Sequence, residues 1–331
     1  MHDQSRMAGR NKFWVDTDEQ TGQQFFIKQF VGDSAALHYQ KCKAAGSISA
    51  IGKYVATPRV VKSDDEHMIL TFEHVSGFTM FDLILTQKLT IEHGRIIGDG
   101  LARFHLSMEE VAPVAEEVLG LTQAPFSPSS AFLRCPNFAE LGRLSSANLQ
   151  LLRIVQQDNS LLDALDDTSV DTEPVITHHD LRGNQLILNE NGVYFVDLEE
   201  MALGHVEGDV GSLLGELYLR ALMDVWTDRI DQQDFDATMD ARDQAGRFER
   251  AKEYYGPIAT ALLQAYSGAY KRPIIFGDIA PEMLRFMLNR LITTNMWRSV
   301  MSPRTRALLN GVSFLARDTE SLKEFVSYAD F

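Results

Sequence analysis

The sequence has only two cysteines, Cys42 and Cys135, among its 331 residues. Two thiols cannot build a disulfide framework or a four-cysteine zinc site. The first residues contain no apolar run, so no signal peptide is expected. No apolar stretch approaches the roughly 18 residues that a membrane-spanning helix requires. We therefore expect a cytoplasmic protein with no membrane partner.

Positive charge is also scarce in this sequence. The 31 basic residues are outnumbered by 46 acidic ones, which gives a formal net charge of −15. This balance opposes binding to nucleic acid or to an anionic membrane, and it permits a cationic ligand. The length and the 45% hydrophobic content are typical of a globular protein with about two domains or lobes. The sequence contains no internal repeat, and it gives no indication of oligomeric state.

The chain before residue 80 is rich in β-branched and aromatic residues. This composition predicts strands bounded by polar turns, and the spacing after Asp33 predicts one helix. The predicted strands lie at 13–15, 24–30, 58–61 and 68–72, and the predicted helix at 34–45.

The chain after residue 80 has mostly helical spacing of its apolar residues. Helices are predicted at 91–107, 138–156, 209–226, 247–268, 280–298 and 303–328. Between the second and third of these, three short strands are predicted at 175–177, 185–188 and 192–198. The pattern therefore indicates a β-rich first part and a helical second part with an embedded hairpin.

Chemically important residues concentrate in that hairpin, whose sequence is ITHHDLRGNQLILNENGVYFVDLEE over residues 176–200. Asp180 and Asp197 each follow or end a short apolar strand, and the amides Asn184 and Gln185 lie between them. Phosphoryl transfer needs one carboxylate to accept the proton of the attacking hydroxyl. It needs a second carboxylate and an amide oxygen to hold magnesium on the nucleotide.

This segment resembles the catalytic and metal-binding loops of the aminoglycoside phosphotransferase and choline kinase family. These enzymes are protein-kinase-like kinases of small molecules, and the resemblance covers residues 7–215. It implies an α+β, protein-kinase-like bilobal fold. A small β-rich N-lobe (residues 1–74) would clamp the nucleotide. A larger, mostly helical C-lobe (residues 75–331) would carry the catalytic loop, the metal site and the acceptor pocket.

The resemblance also implies roles for individual residues of the second lobe. Asp180 matches the catalytic aspartate, and His178 matches the histidine of the same loop. Arg182 matches a position near the γ-phosphate. Asp197 matches the magnesium aspartate, and Asp209 matches a later aspartate that ties the catalytic loop to a helix.

The implied cofactors are Mg²⁺ and a phosphate donor, ATP or GTP. The amide ligand of the metal has two candidates, because Gln185 stands at the expected spacing from Asp180 and Asn184 stands one residue before it. Glu199 is either an aid to a second magnesium or a solvated glutamate.

The N-lobe would supply the nucleotide clamp. Lys28, within an apolar strand, resembles the lysine that contacts the α- and β-phosphates. The other residues with implied nucleotide contacts are Gly9, Arg10 and Asn11 of a short glycine turn and Glu73 and Val75 of the hinge.

One feature of the family pattern is missing from the first helix. In kinases a glutamate there pairs with the strand lysine, whereas residues 34–45 contain no Asp or Glu. Gln40 is the closest match in position and would hold Lys28 less firmly than a carboxylate. A pseudokinase, which would bind nucleotide and regulate without turnover, is therefore an alternative to an active kinase.

The acceptor is predicted to be a small molecule with a hydroxyl group. Residues 198–208, between Asp197 and Asp209, leave no room for the long segment with which protein kinases bind a peptide. An aminoglycoside, a sugar or an amino alcohol would fit. Two acidic stretches, at 158–173 and 224–240, either line a pocket for a cationic acceptor or are solvated surfaces.

Overall fold

The computed structural model describes residues 6–8, 11–48, 56–111, 130–166, 174–225, 241–271 and 274–327. The first described part is dominated by an antiparallel sheet of five strands. These are β1 (Arg6–Ala8), β2 (Asn11–Thr17), β3 (Gln24–Gln29), β4 (Val60–Asp64) and β5 (Ile69–Glu73), in the order β1-β2-β3-β5-β4. All four strands predicted in this part of the sequence are confirmed.

One face of the sheet is covered by helix α1 (Ala35–Ala45). Tyr39 and Cys42 of the helix pack with Leu70 of β5 and with Phe30, which directly follows β3, in a buried apolar cluster. Lys28 is the cross-strand partner of Leu70, and directly paired residues share one face of a sheet. The Lys28 side chain therefore lies on the face that the helix covers, which explains its burial.

The connection from the sheet continues through β6 (Phe78–Thr79), α2 (Met80–Leu85) and the long helix α3 (Ile91–Val111). The predicted hairpin follows later in the chain. It comprises β7 (Val175–Thr177), β8 (Leu186–Asn189), β9 (Gly192–Phe195) and β10 (Ala202–Gly204). β6, β8 and β9 form one small sheet, and β7 pairs with β10.

Two short 3₁₀ turns interrupt the hairpin where longer strands were predicted. Gln185 belongs to the turn at Gly183–Gln185, and Leu198 begins the turn at Leu198–Glu200. Successive side chains on a strand point to opposite faces of the sheet, whereas those on a 3₁₀ turn do not alternate in this way. Neighbouring polar side chains on such a turn can therefore point to the same side. The strand predictions for Gln185 and for residues 196–198 were therefore wrong.

Gly77 allows the segment after β5 to lie directly against β8. Its φ is +154°, and a Cβ at this position would come within 2.4 Å of the Leu188 carbonyl oxygen. We expect Gly77→Ala to lower the free energy of unfolding by about 2 kcal/mol or more, because the strained φ and the backbone clash act together. Chemical denaturation would measure the change. Gly22→Ala, at a turn with open space, is the control and should cost less; equal losses would contradict the clash.

The other residues that the structure describes are mostly helical. Their helices are α4 (Ser130–Arg134), α5 (Phe138–Leu141), α6 (Ser146–Val155), α7 (Asn159–Asp166), α8 (Val206–Asp224), α9 (Ala241–Tyr270), α10 (Phe276–Thr294), α11 (Pro303–Arg317) and α12 (Glu320–Phe325). The helix predicted at 138–156 is two helices, because the Ser145 hydroxyl caps a new start by accepting from the Asn148 N–H. The helix predicted at 303–328 also ends early, at Arg317.

The chain divides into two compact units. The first contains Met1–Ile84, Asp99–Pro125 and Pro174–Val206, and the second contains Leu85–Gly98, Phe126–Glu173 and Glu207–Phe331. The lobe boundary at residue 74 stays a prediction. Among the helices that the structure describes, none combines the length and the apolar character needed to cross a membrane.

Candidate active site

The loop between β7 and β8 carries Asp180 and is held in place by buried side chains. His178 and Leu181, on either side of this segment, are fully buried. One ring nitrogen of His178, Nε2, lies 3.0 Å from the carbonyl oxygen of Val196, and the Val196 N–H donates to the Gln185 carbonyl at 3.0 Å. The loop of Asp180 is thereby tied to the residue that precedes Asp197.

The Asp180 carboxylate accepts two side-chain hydrogen bonds. Arg182 Nη2 lies 2.8 Å from Oδ2, and Gln185 Nε2 lies 3.1 Å from the same oxygen. The Asp180 side chain is 39% exposed. A carboxylate that is held in place and still open to solvent can accept a proton from a bound hydroxyl.

Gln185 and Asn184, the two predicted amide ligands of the metal, differ in burial. Gln185 is buried, whereas Asn184 is exposed. Since Gln185 Nε2 donates to Asp180, its Oε1 points elsewhere, and this buried oxygen has no hydrogen-bond partner among the residues described. A buried amide oxygen without a donor suits a hard divalent cation such as Mg²⁺. The choice between the two amides stays a prediction.

Asp197 follows β9 in a left-handed backbone conformation, with φ at +65°. Its carboxylate accepts a hydrogen bond from the Lys28 ammonium. Burial alone would raise the pKa of Asp197, but the nearby Lys28 charge holds that pKa below its ordinary value, with smaller contributions from His178 and Arg182. The group is therefore an ionised carboxylate at neutral pH, the form that binds a metal.

Lys28 is buried beside two carboxylates. Its Nζ lies 2.6 Å from Glu199 Oε2 and 4.8 Å from the centre of the Phe30 ring. Burial acts to lower the pKa of Lys28, but the negative charges around it, Asp197 foremost, raise the pKa above its usual value. Lys28 thus remains cationic, as a group that contacts phosphates must be.

Asn11 was predicted to belong to a phosphate-binding turn; it begins β2, and its contact with phosphates stays a prediction. The Asn11 Nδ2 donates to Glu199 Oε2 at 2.7 Å, and its Oδ1 accepts from the Val31 N–H at 3.3 Å. No sequence pattern could have joined Asn11 to Glu199, which stand 188 positions apart. Gly9 and Arg10, the rest of the predicted turn, lie outside the described residues.

Glu199 and Glu200 occupy the turn after Asp197 and face different partners. Glu200 Oε1 lies 3.6 Å from Nε2 of His38, a buried residue of α1. One ligand atom from each of His38, Glu199 and Glu200 lies within 4.8 Å of the others, a spacing that a metal ion could bridge. The Lys28 ammonium already supplies positive charge to Glu199 at that place.

The other predicted residues occupy separate positions. Glu73 ends β5, and its N–H donates to the Arg59 carbonyl at 3.0 Å; its contact with a nucleotide base stays a prediction. Val75 follows this strand and is half-buried. Gln40 is exposed on α1. Asp209 is buried in the first turn of α8, and its tie to the catalytic loop stays a prediction.

Some carboxylates of the two acidic stretches form ion pairs with arginines of the same chain. Arg134 binds Asp163 at 2.8 Å and Asp166 at 2.7 Å, and Arg317 binds Asp158 at 2.9 Å. These three carboxylates therefore form ion pairs within the second unit. Many other members of the two stretches, including 167–173 and 228–240, lie outside the described residues.

A comparison with models of protein families identifies the family of this chain. The model of the phosphotransferase enzyme family matches residues 8–254, which is most of the sequence. The chain belongs to the phosphotransferase enzyme family. The predicted enzyme class, a small-molecule kinase with an alcohol group as acceptor, is thereby confirmed at the level of the family. The comparison with curated protein sequences found no match.

Several solved structures have a fold similar to that of this phosphotransferase. The amicoumacin kinase hAmiN, in complex with AMP-PNP, Ca²⁺ and Ami, has a TM-score of 0.59 at 12% identity, covering 95% of this chain and 87% of that one. A glucosamine kinase in complex with glucosamine, ADP and inorganic phosphate has a TM-score of 0.55 at 14% identity, covering 94% and 84%.

A third structure, choline kinase from Cryptosporidium parvum Iowa II, has a TM-score of 0.54 at 11% identity and covers 98% of this chain and 92% of that one. At such identities the likeness shows the fold alone. The predicted kinase-like α+β fold, with a small sheet-containing N-lobe and a helical C-lobe, is confirmed.

Proposed function

We propose that this phosphotransferase moves the γ-phosphate of ATP or GTP to a hydroxyl group of a small molecule. The observation that carries the proposal is the fixed arrangement around Gln185. Its amide nitrogen holds the Asp180 carboxylate, and its buried amide oxygen is left for a cation. One residue thus couples a proton acceptor to a metal ligand, which is the combination that phosphoryl transfer requires.

The proposal gives each of these groups a role, and their contacts are compatible with it. Asp180 would orient the acceptor hydroxyl and accept its proton, while Arg182 would offset charge on the γ-phosphate. Lys28 would hold the α- and β-phosphates. Gln185 and Asp197 would hold Mg²⁺, which supplies positive charge to the nucleotide phosphates when bound.

The acceptor would be an aminoglycoside, a sugar or an amino alcohol. In support, helix α8 begins at Val206, so only residues 198–205 separate it from Asp197. This segment forms a 3₁₀ turn and strand β10, and no peptide-binding platform fits into it. A cationic acceptor would suit the net charge of −15.

The first experiment is thermal unfolding of the chain with ATP and with GTP, each with Mg²⁺ and with EDTA. A ligand at a hundredfold excess over its Kd stabilises the native state by about 2.7 kcal/mol. We therefore expect a Mg²⁺-dependent rise in Tm with at least one nucleotide. No rise with either nucleotide would contradict the proposal.

The second experiment separates a kinase from a pseudokinase. The chain, the nucleotide that it binds and Mg²⁺ are incubated with a panel of aminoglycosides, sugars and amino alcohols, and phosphorylated products are detected by mass spectrometry. We expect one chemical class to be phosphorylated. Nucleotide binding without any product over the whole panel would favour the pseudokinase.

A further inference from the structure

Lys28 has no acidic partner on the helix that covers it. Helix α1 reads AALHYQKCKAA and contains neither Asp nor Glu, and Gln40 is exposed. The second carboxylate at the ammonium instead comes from Glu199, at 2.6 Å, on the turn after Asp197. The fold therefore replaces a helix carboxylate with one from the turn that follows Asp197.

Glu199 is itself held by a buried amide. Asn11, 6% exposed, donates to the same oxygen, Oε2, that accepts from Lys28. The other end of Asn11 accepts from the Val31 N–H. Since one side chain links β2, the segment after β3 and Glu199, the position of the Glu199 carboxylate is fixed independently of Lys28.

The same turn also places an acidic residue beside a basic residue of the helix. Glu200 faces His38 of α1, with 3.6 Å between Oε1 and Nε2. His38 of helix α1 thus lies beside Glu200 of the turn, and Glu199 of the same turn contacts Lys28. Both acidic residues of the turn are used to join it to the sheet and to the helix.

We propose that Glu199 is the positioning residue for Lys28 and that Asn11 acts through Glu199. The inference rests on the proposed function, because it concerns how Lys28 reaches nucleotide phosphates. Asp197 pairs with Lys28 in the structure and would serve as a metal ligand in the working enzyme. Glu199 has no metal to serve in this proposal, so it keeps the buried ammonium paired and in place whether or not a metal occupies Asp197.

The test measures nucleotide affinity in EDTA, where a metal ligand has no role. The variants are Glu199→Gln, Asn11→Ala and the double variant, and the probes are ADP and ATP (or GDP and GTP if the chain prefers guanine). We expect Glu199→Gln to weaken affinity about tenfold, because a charged hydrogen bond that aims Lys28 is lost. Asn11→Ala should weaken it about threefold to fivefold.

The double variant reports whether Asn11 acts through Glu199. If it does, the double variant should bind no more weakly than Glu199→Gln alone, because position 199 then carries no carboxylate for Asn11 to hold beside Lys28. The matching nucleoside, adenosine or guanosine, lacks phosphates and should bind every variant as well as the wild type. Glu190→Gln and Asn191→Ala, both exposed in the hairpin turn, are the controls and should leave all affinities unchanged.

Each contrary outcome has a separate meaning. A loss in Glu199→Gln that occurs only with Mg²⁺ would make Glu199 a metal ligand and overturn the inference. Equal losses for nucleotide and nucleoside would show a structural role for Asn11, and additive effects in the double variant would show that it acts alone. A wild-type chain that binds no nucleotide would overturn the proposed function, and the inference with it.

Discussion

Asp180→Asn is expected to lower the rate of phosphate transfer by about 10²- to 10⁴-fold, because an amide cannot accept the proton of the attacking hydroxyl. Asparagine keeps the shape of the side chain and one oxygen for the Arg182 and Gln185 donors. Nucleotide affinity should therefore change by less than about threefold, which is small beside the loss in rate. The measurement is kcat with the acceptor that the panel identifies, together with Kd for the nucleotide.

The control for Asp180→Asn is Glu190→Gln, which makes the same chemical change at an exposed turn of the same hairpin. It should retain wild-type kcat. If Asp180→Asn retained a rate near that of the wild type, the proton acceptor would have to be another group. If kcat and nucleotide affinity fell together, the loop would have been disrupted, and thermal unfolding would show it.

Asp197→Asn is expected to remove the Mg²⁺-dependent part of nucleotide binding. Loss of a residue that merely supports a metal ligand already costs about 10- to 100-fold in metal affinity, and loss of the ligand charge should cost at least as much. The measurement is a nucleotide titration at several Mg²⁺ concentrations. In EDTA the variant should bind nucleotide no more weakly than the wild type, since Lys28 is then released from Asp197.

Two further variants sharpen the assignment of the metal ligands. Gln185→Leu should mimic the loss of Mg²⁺ dependence, because leucine fills the buried space without an oxygen. Asn184→Ala, at the exposed alternative position, should preserve it. An unchanged Mg²⁺ dependence in Asp197→Asn, or a loss in Asn184→Ala alone, would contradict the proposed metal site.

The local elements of the N-terminal sheet were predictable because their signals are local. Alternating β-branched and aromatic residues mark β2, β3 and β5, and the Ser34 start and helical spacing mark α1. The breaks in the second unit were missed. The helical spacing of apolar residues continues across Ser145, although Ser145 caps the start of a new helix. Periodicity alone does not show whether such a segment forms one helix or two.

The candidate site was predictable as a set of residue types. Asp180, Gln185 and Asp197 stand in one short segment with the spacing of a catalytic loop, a turn and a second loop. Lys28 was predicted from its resemblance to the strand lysine of the family, together with Asp180 and Asp197. These inferences needed no distances, since each residue type has a chemical role that its neighbours in the sequence indicate.

The sequence by itself determined the fold class and the family, and it predicted the residues for phosphoryl transfer, because these are carried by short patterns of residue type and spacing. Only the tertiary structure decided which partners those residues have. It turned Gln185 so that its nitrogen binds Asp180 and its oxygen stays open, and it brought Asn11 and Glu199 to Lys28. Such contacts join residues far apart in the chain, and they arise when a sheet, a helix and a turn pack together and each buried charge must find a partner.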